Sequence, residues 1–291
     1  MPLCKSRTVI ITGAGGGLGR AYALALAAEG ANVVVNDINR EAVAGVVALI
    51  RDQGGNAIGD CHDITDYAEA GEIVQAAIAA FGDLHAVVNN AGICRDRMFA
   101  SLTEADWDAV MNVHLKGHFC IASHAVRHWR EQAKAGAKVQ ARLINTSSGA
   151  GLQGSIGQSN YSAAKGGIAA LTLVQAAELA RYGITANALA PAARTGMTEQ
   201  VFAEVMKKPE AGFDHFAPEN VAPLVAWLVS EASQHVSGRL FEVEGGKLSI
   251  ADGWRRGPER DKGARWLPEE IGEAVDALIA HAVPPQKVYG A

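Results

Sequence analysis

Short apolar runs rich in Val and Ile alternate along this chain with longer stretches in which apolar residues return every three or four positions. The first pattern reads as buried strand and the second as amphipathic helix. Strands are expected at Arg7–Ile11, Asn32–Asn36, Ala57–Cys61, His85–Val88, Leu143–Asn145, Ile184–Ala188 and Leu240–Val243. Helices are expected over 20–29, 40–53, 66–81, 104–130, 160–182, 219–230 and 268–282. Such alternation builds an α/β fold: a doubly wound parallel sheet of about seven strands. Two stretches break the rhythm. Residues 192–218 are irregular, with Lys207, Lys208, Pro209, Gly212 and Pro218, and follow the sixth strand, where a substrate lid is expected. Residues 251–267 are basic and carry Gly and Pro.

The first strand runs into Thr12-Gly13-Ala14-Gly15-Gly16-Gly17-Leu18-Gly19, and an Ala/Leu-rich helix follows. Strand, glycine turn and helix form the context of a dinucleotide fingerprint. Glycines let the backbone approach a pyrophosphate, and the helix N-terminus offers amides and the positive end of its dipole. The spacing is G-x-x-x-G-x-G rather than G-x-G-x-x-G, although Gly15 also fits G-x-G with Gly13 or Gly17. Asp37 ends the second strand, about 20 residues beyond the loop, where a carboxylate accepts hydrogen bonds from an adenosine ribose. It would repel a 2′-phosphate, so NAD is expected over NADP. Asp37 also suits a helix N-cap. The expected organisation is one Rossmann-type domain. Residues 1–250 form its dinucleotide-binding and catalytic part, and 251–291 a basic, helical extension.

Tyr161 and Lys165 lie four residues apart on a predicted helix, hence on one face. A free phenol titrates near ~10, and a neighbouring ammonium would lower that value and make a proton-transfer group. Upstream, Leu143-Ile144-Asn145-Thr146 runs into Ser147-Ser148-Gly149. A hydroxyl at the carboxyl end of that strand would face the ligand crevice and hold a substrate oxygen against Tyr161. Ser148 is the candidate. Pattern alone does not separate it from Ser147, and either could form a plain turn.

TGAGGGLG, Asp63-Ile64, Asn89-Asn90-Ala91-Gly92, Asn112-Val113, Ser148, Tyr161-x-x-x-Lys165 and Pro191 fall in the order and spacing of the short-chain dehydrogenase/reductases, which the chain resembles over roughly residues 5–250. Further segments, among them Arg95–Phe99, Asn112–Gly117, Gly157–Lys165 and Val221–Leu228, resemble the (3R)-hydroxyacyl-CoA dehydrogenase part of peroxisomal multifunctional enzyme type 2, the 17β-hydroxysteroid dehydrogenase type 4 class. The resemblance implies roles. Tyr161 would be the acid/base, Lys165 would tune it and bind the nicotinamide ribose, and Ser148 would hold the substrate oxygen. Asn112 would hold a water linking Lys165 to solvent. Gly13, Gly15, Gly16, Gly17, Leu18 and Gly19 would hold the phosphates and Asp37 the ribose. Asp63 and Ile64 would flank the adenine, Asn89, Ala91 and Gly92 would line the cofactor floor, and Pro191 would lie by the nicotinamide. Ala192, Ala193 and Arg194 after Pro191 depart from the family pattern.

Composition narrows the partners. Apolar residues make up 49% and charged residues 20%, which fits a globular chain and not a disordered one. A net charge of −5 gives nucleic acid no electrostatic reason to bind, and no apolar run reaches the ~18 residues of a membrane span. Four scattered cysteines read as reduced thiols of a cytoplasmic protein, with Cys94 a packing residue near the site. The closing Lys287–Ala291 is no peroxisomal address. His114, His118, His124 and His128 recur along one helix; His124 and His128, four apart, read as a surface pair, and no metal site is expected. Arg255, Arg256, Arg260, Lys262 and Arg265 beside Trp254 and Trp266 suit either coenzyme A phosphates or a solvated tail. A homodimer or homotetramer is expected from the apolar faces of the 104–130 and 160–182 helices. The expected substrate is a small molecule, a (3R)-3-hydroxyacyl-CoA. A hydroxysteroid dehydrogenase and a 3-oxoacyl carrier-protein reductase are the enzymatic alternatives, and a non-catalytic nucleotide-sensing module is the alternative of another class.

Overall fold

A computed structural model describes residues 2–196 and 206–290. The strands are β1 (Thr8–Thr12), β2 (Asn32–Asn36), β3 (Asn56–Asp60), β4 (Ala86–Asn89), β5 (Ala141–Thr146), β6 (Ile184–Ala192), β7 (Leu240–Glu244) and β8 (Lys247–Ala251). The helices are α1 (Gly17–Ala28), α2 (Arg40–Asp52), α3 (Tyr67–Phe81), α4 (Glu104–Met111), α5 (Gly117–Lys134), α6 (Gly149–Gln153), α7 (Ser159–Leu179), α8 (Ala222–Val229) and α9 (Pro268–His281). They form one sheet in the order β3-β2-β1-β4-β5-β6-β7-β8.

Both faces of this sheet are buried, which explains why its strands read as apolar runs rather than alternating ones. Successive residues feed opposite layers. Val9, Ile11, Val33, Val35 and Val88 join one core with α1, α2 and α8. Ile10, Val34, Val87 and Leu143 join the other with α3, α5 and α7. Between β1 and β4 the strand order reverses, and that switch point opens a crevice at the carboxyl ends of both strands.

Two features differ from the sequence expectation. The sheet has eight strands, because Gly245-Gly246 turns the chain back and β8 pairs antiparallel with β7, Glu244 facing Lys247. Gly245 has φ +56°, the left-handed conformation such a two-residue hairpin demands. The predicted 104–130 helix is wound more loosely over Asn112–Lys116, where one π-type turn separates α4 from α5. The expected lid at 192–218 lies partly outside the described residues, at 197–205. No helix among the described residues is long and apolar enough to cross a membrane.

Candidate active site

The glycine loop divides its glycines between two jobs. A methyl group on Gly19 would lie 2.1 Å from the Gly13 carbonyl oxygen and 2.7 Å from Asn90 Nδ2. Gly13, at φ +63°, would press a methyl against Ala91 Cα at 2.7 Å. These two let the loop close on itself and on the end of β4. A methyl on Gly16, by contrast, would meet open space. Gly16 is also the extended N-cap of α1 and offers no capping side chain, so the first amides of that helix, from Gly17 and Leu18 to Gly19, await an acceptor. Open backbone at an uncapped helix N-terminus fits a dinucleotide pyrophosphate.

Asp37 faces the same loop. Its Oδ2 accepts from the Gly15 amide at 3.0 Å and its Oδ1 from the Asn39 amide at 3.0 Å. The cap of α2 is Asn39, which accepts from the Ala42 amide at 3.1 Å, so the carboxylate of Asp37 is left to the crevice.

The other expected cofactor residues divide between cleft and core. Thr12 Oγ1 accepts from the Asn90 and Ala91 amides, and Asn90 Nδ2 donates to the Thr12 and Gly13 carbonyls, so Asn90 rather than Asn89 ties β4 to the loop. Asn89 is buried and donates to Asn145 Oδ1 at 3.0 Å. Ile64 points into the core, where a methyl on Gly117 would touch it at 2.7 Å; only its backbone is left for a ligand. Asp63 is exposed and caps its own turn through the Thr65 amide. Pro191 lies near the end of β6, paired with Val243.

The two serines separate clearly. Ser147 is buried and its hydroxyl donates to the Lys165 carbonyl at 2.8 Å, spent on holding α7 to β5. Ser148 caps α6 through the Ala150 amide at 3.2 Å, and its hydroxyl acts on the Tyr161 phenol in the direction that lowers its titration. Lys165 Nζ lies 5.5 Å from the Tyr161 ring centre and donates to the Thr146 carbonyl at 2.5 Å. Burial moves both titrations toward the neutral forms. Lys165 is drawn down to about 7. Tyr161 is raised well above the usual phenol value by burial and by nearby Cys94, with Ser148 pulling the other way. Burial thus acts against the lowering expected from Lys165. Cys94 itself is held up to about 11 by burial, which keeps it a thiol and not a nucleophile. Asn112 opens the π-type turn, at the point where α4 gives way to α5.

His114 is the site residue that sequence reasoning missed. It is fully buried, its Nε2 lies 2.7 Å from the Ile93 carbonyl oxygen, and its ring stands edge-on to Tyr161 with centroids 5.1 Å apart. Its Cε1 leaves a methyl on Gly92 only 2.3 Å, so Gly92 serves the histidine's packing. The available signal was the four-residue step from His114 to His118, also buried. Burial drives His114 down to about 3 and His118 well below its usual value, with the Lys165 charge adding to both. The unfolded chain thus binds protons from about pH 6.5 downward that the folded chain refuses, so stability falls as pH drops through that window. Each histidine contributes up to ~1.4 kcal/mol per pH unit. Urea midpoints should fall between pH 7 and pH 5, and His118→Leu should flatten that slope; an equal slope in the variant would refute it. His124 and His128 are half-buried and bind separate partners, the Tyr67 carbonyl and Asp83. No group of three or more His, Cys, Asp or Glu among the described residues could hold a metal ion.

Three further contacts tie down segments that follow the strands. Arg97 pairs with Gln158. Arg194 forms an ion pair with Asp214, which roots residues 206–216 on the end of β6. Val288–Gly290 returns from α9 to lie along Gly154–Ile156. The basic segment stands away in solvent, with Arg255 paired to Asp252, Arg256 to Glu259 and Lys262 to Glu270.

A family profile described as short chain dehydrogenase matches residues 7–205. A hydroxyacyl-CoA dehydrogenase of Mycobacterium tuberculosis is 41% identical over 97% of this chain and 91% of its own. The mouse peroxisomal multifunctional enzyme type 2 is 44% identical over 82% of this chain, which spans 32% of that longer protein. The crystal structure of a short chain dehydrogenase from Mycobacterium avium, 55% identical, superposes with a TM-score of 0.92 over 99% of this chain and all of its own. With the fold, the glycine loop and the Ser148–Tyr161–Lys165 cluster in place, the chain belongs to the short-chain dehydrogenase family of oxidoreductases.

Proposed function

We propose that this enzyme oxidises the 3-hydroxyl of a (3R)-3-hydroxyacyl-CoA to a ketone, with NAD as the hydride acceptor. The observation that carries the reading is the Tyr161 phenol with Lys165 Nζ 5.5 Å from its ring centre, beside Ser148 just beyond the carboxyl end of β5. The acyl-CoA class draws on the relatives' hydroxyacyl-CoA dehydrogenase and multifunctional-enzyme names.

Gly13 to Gly19 would hold the pyrophosphate and Asp37 the adenosine ribose. The Asp37 carboxylate, already fixed by two backbone amides, is where a 2′-phosphate would bring like charge, which supports NAD over NADP. NAD held there would supply the acceptor for the hydride that leaves the carbinol carbon. The chain's own groups do the rest. Ser148 donates to the substrate oxygen and fixes its pose. Tyr161 takes the hydroxyl proton at its phenolic oxygen as its own phenolic proton leaves toward neutral Lys165. Lys165, titrating near neutrality, passes that proton toward solvent at the end of β5, with Asn112 as the second residue of the exit. Phe119, Leu173 and Val174 on α5 and α7 are half or more exposed, which supports a second copy packing there.

NADH formation with NAD and a medium-chain (3R)-3-hydroxyacyl-CoA tests the reading, beside the (3S) epimer, a 17β-hydroxysteroid and, in reverse, a 3-oxoacyl carrier protein with NADPH. Turnover selective for the (3R) thioester is the expected result. Turnover of the steroid alone, or of the carrier-protein substrate with NADPH alone, would replace it.

A further inference from the structure

The last described residues return to the stretch that follows Ser148. Tyr289 pairs with Ser155 as a short parallel bridge: the Ile156 amide donates to the Tyr289 carbonyl at 2.9 Å and the Tyr289 amide to the Gly154 carbonyl at 3.2 Å. Val288 packs on Gly154, and Gly290, at φ +84°, packs on Ile156. The Tyr289 ring lies across Gly149, so closely that a methyl there would come within 2.7 Å of its hydroxyl. Gly149 directly follows Ser148. The phenol of Tyr289 thus sits one residue along from the hydroxyl that faces Tyr161. Burial raises its titration, with Glu242 and Glu244 adding, so it stays a hydrogen-bond donor. About half of the residue is open to solvent.

We infer that Tyr289 is a positioning residue: its phenolic O–H donates to the acyl carbonyl of the substrate while Ser148 and Tyr161 hold the reacting oxygen. This rests on the acyl-thioester reading above. The chemistry matches the placement. A 3-hydroxyacyl group carries a second oxygen two carbons from the reacting one, within reach of a donor on the residue next to Ser148. A donor above Gly149 favours substrates with that second oxygen over simple secondary alcohols. The short glycine-bearing stretch Gly149–Gly154 is what lets the tail lie close enough to act.

Tyr289→Phe keeps the ring and removes only the donor. Its kcat/KM for a (3R)-3-hydroxyacyl-CoA should fall about tenfold, the worth of one neutral hydrogen bond. NAD affinity, and kcat/KM for a secondary alcohol of equal length lacking the carbonyl, should hold. An equal loss on both substrates, or no loss on either, overturns the assignment. Seating of the tail is read without catalysis, by hydrogen exchange at the Ile156 amide. Ending the chain after Lys287 should abolish its protection; retained protection overturns the placement. If the wild-type enzyme oxidises other alcohols but no acyl thioester, the substrate reading fails and takes the carbonyl assignment with it. The Ile156 amide still reports separately on whether the tail is seated.

Discussion

Tyr161→Phe is expected to lower kcat by about 10²–10⁴-fold, the range that a positioned acid/base supplies. Affinity for the dinucleotide should be essentially unchanged. The substitution removes one oxygen and little else. The ring keeps its edge contact with His114 and its place 5.5 Å from Lys165 Nζ, so the surrounding packing has no reason to move. Ser148 retains its bond to the Ala150 amide. The loss should therefore fall on kcat, as it does when an interaction made in the transition state is removed. Single-turnover NADH formation and a fluorescence titration with NADH separate the two quantities. A variant that keeps more than about a tenth of wild-type kcat would show that another group moves the proton.

Gly19→Ala and Gly16→Ala should differ sharply although they lie three residues apart. At Gly19 the added carbon would sit 2.1 Å from a backbone oxygen and 2.8 Å from a backbone carbon of Gly13, neither of which can rotate away. The loop or α1 must shift, and a destabilisation of ~4 kcal/mol or more follows, at the extreme of what single substitutions do. For a domain of this size that lowers Tm by roughly 10 °C. At Gly16 the methyl meets open space and the backbone is already extended, so Tm should hold. The methyl would instead protrude where the pyrophosphate is expected, and affinity for NAD should drop. Thermal denaturation and nucleotide titration of both variants check the pair; equal Tm losses would show that the two glycines do the same job.

The sequence exposed what depends on local rules. The central strands were legible because both of their faces are buried, so Val33-Val34-Val35 could be nothing but apolar, whereas β3 and β7 bury one face more than the other. The glycine loop was legible because strand, turn and helix follow without a break. Ser147 and Ser148 were not separable, since adjacent residues on a strand differ only in which face they meet, and the partner that claims Ser147 is the Lys165 carbonyl, 18 residues away. Strand β8 escaped because its Leu248 and Ile250 are exposed and its sequence carries no buried run. His114 escaped because a polar residue on an amphipathic helix reads as surface, whereas the π-type turn rotates this one inward beneath Tyr161. The return of Tyr289 had no local signal at all, because its partner, Ser155, lies about 130 residues away.

That last pairing gives the molecule a detachable edge. Its two backbone hydrogen bonds are worth ~1 kcal/mol each after exchange with water. Ordering each tail residue costs ~1–2 kcal/mol of chain entropy, offset only by the packing of Val288 and Tyr289. The net is a small stabilisation, enough to protect the Ile156 amide and far below what holds β1 or β5 in the core. The tail therefore opens and recloses with the sheet intact, as a unit of local unfolding in its own right. A ligand that engages it must supply the missing order, so part of any affinity gained there is spent on folding the last turn of the protein.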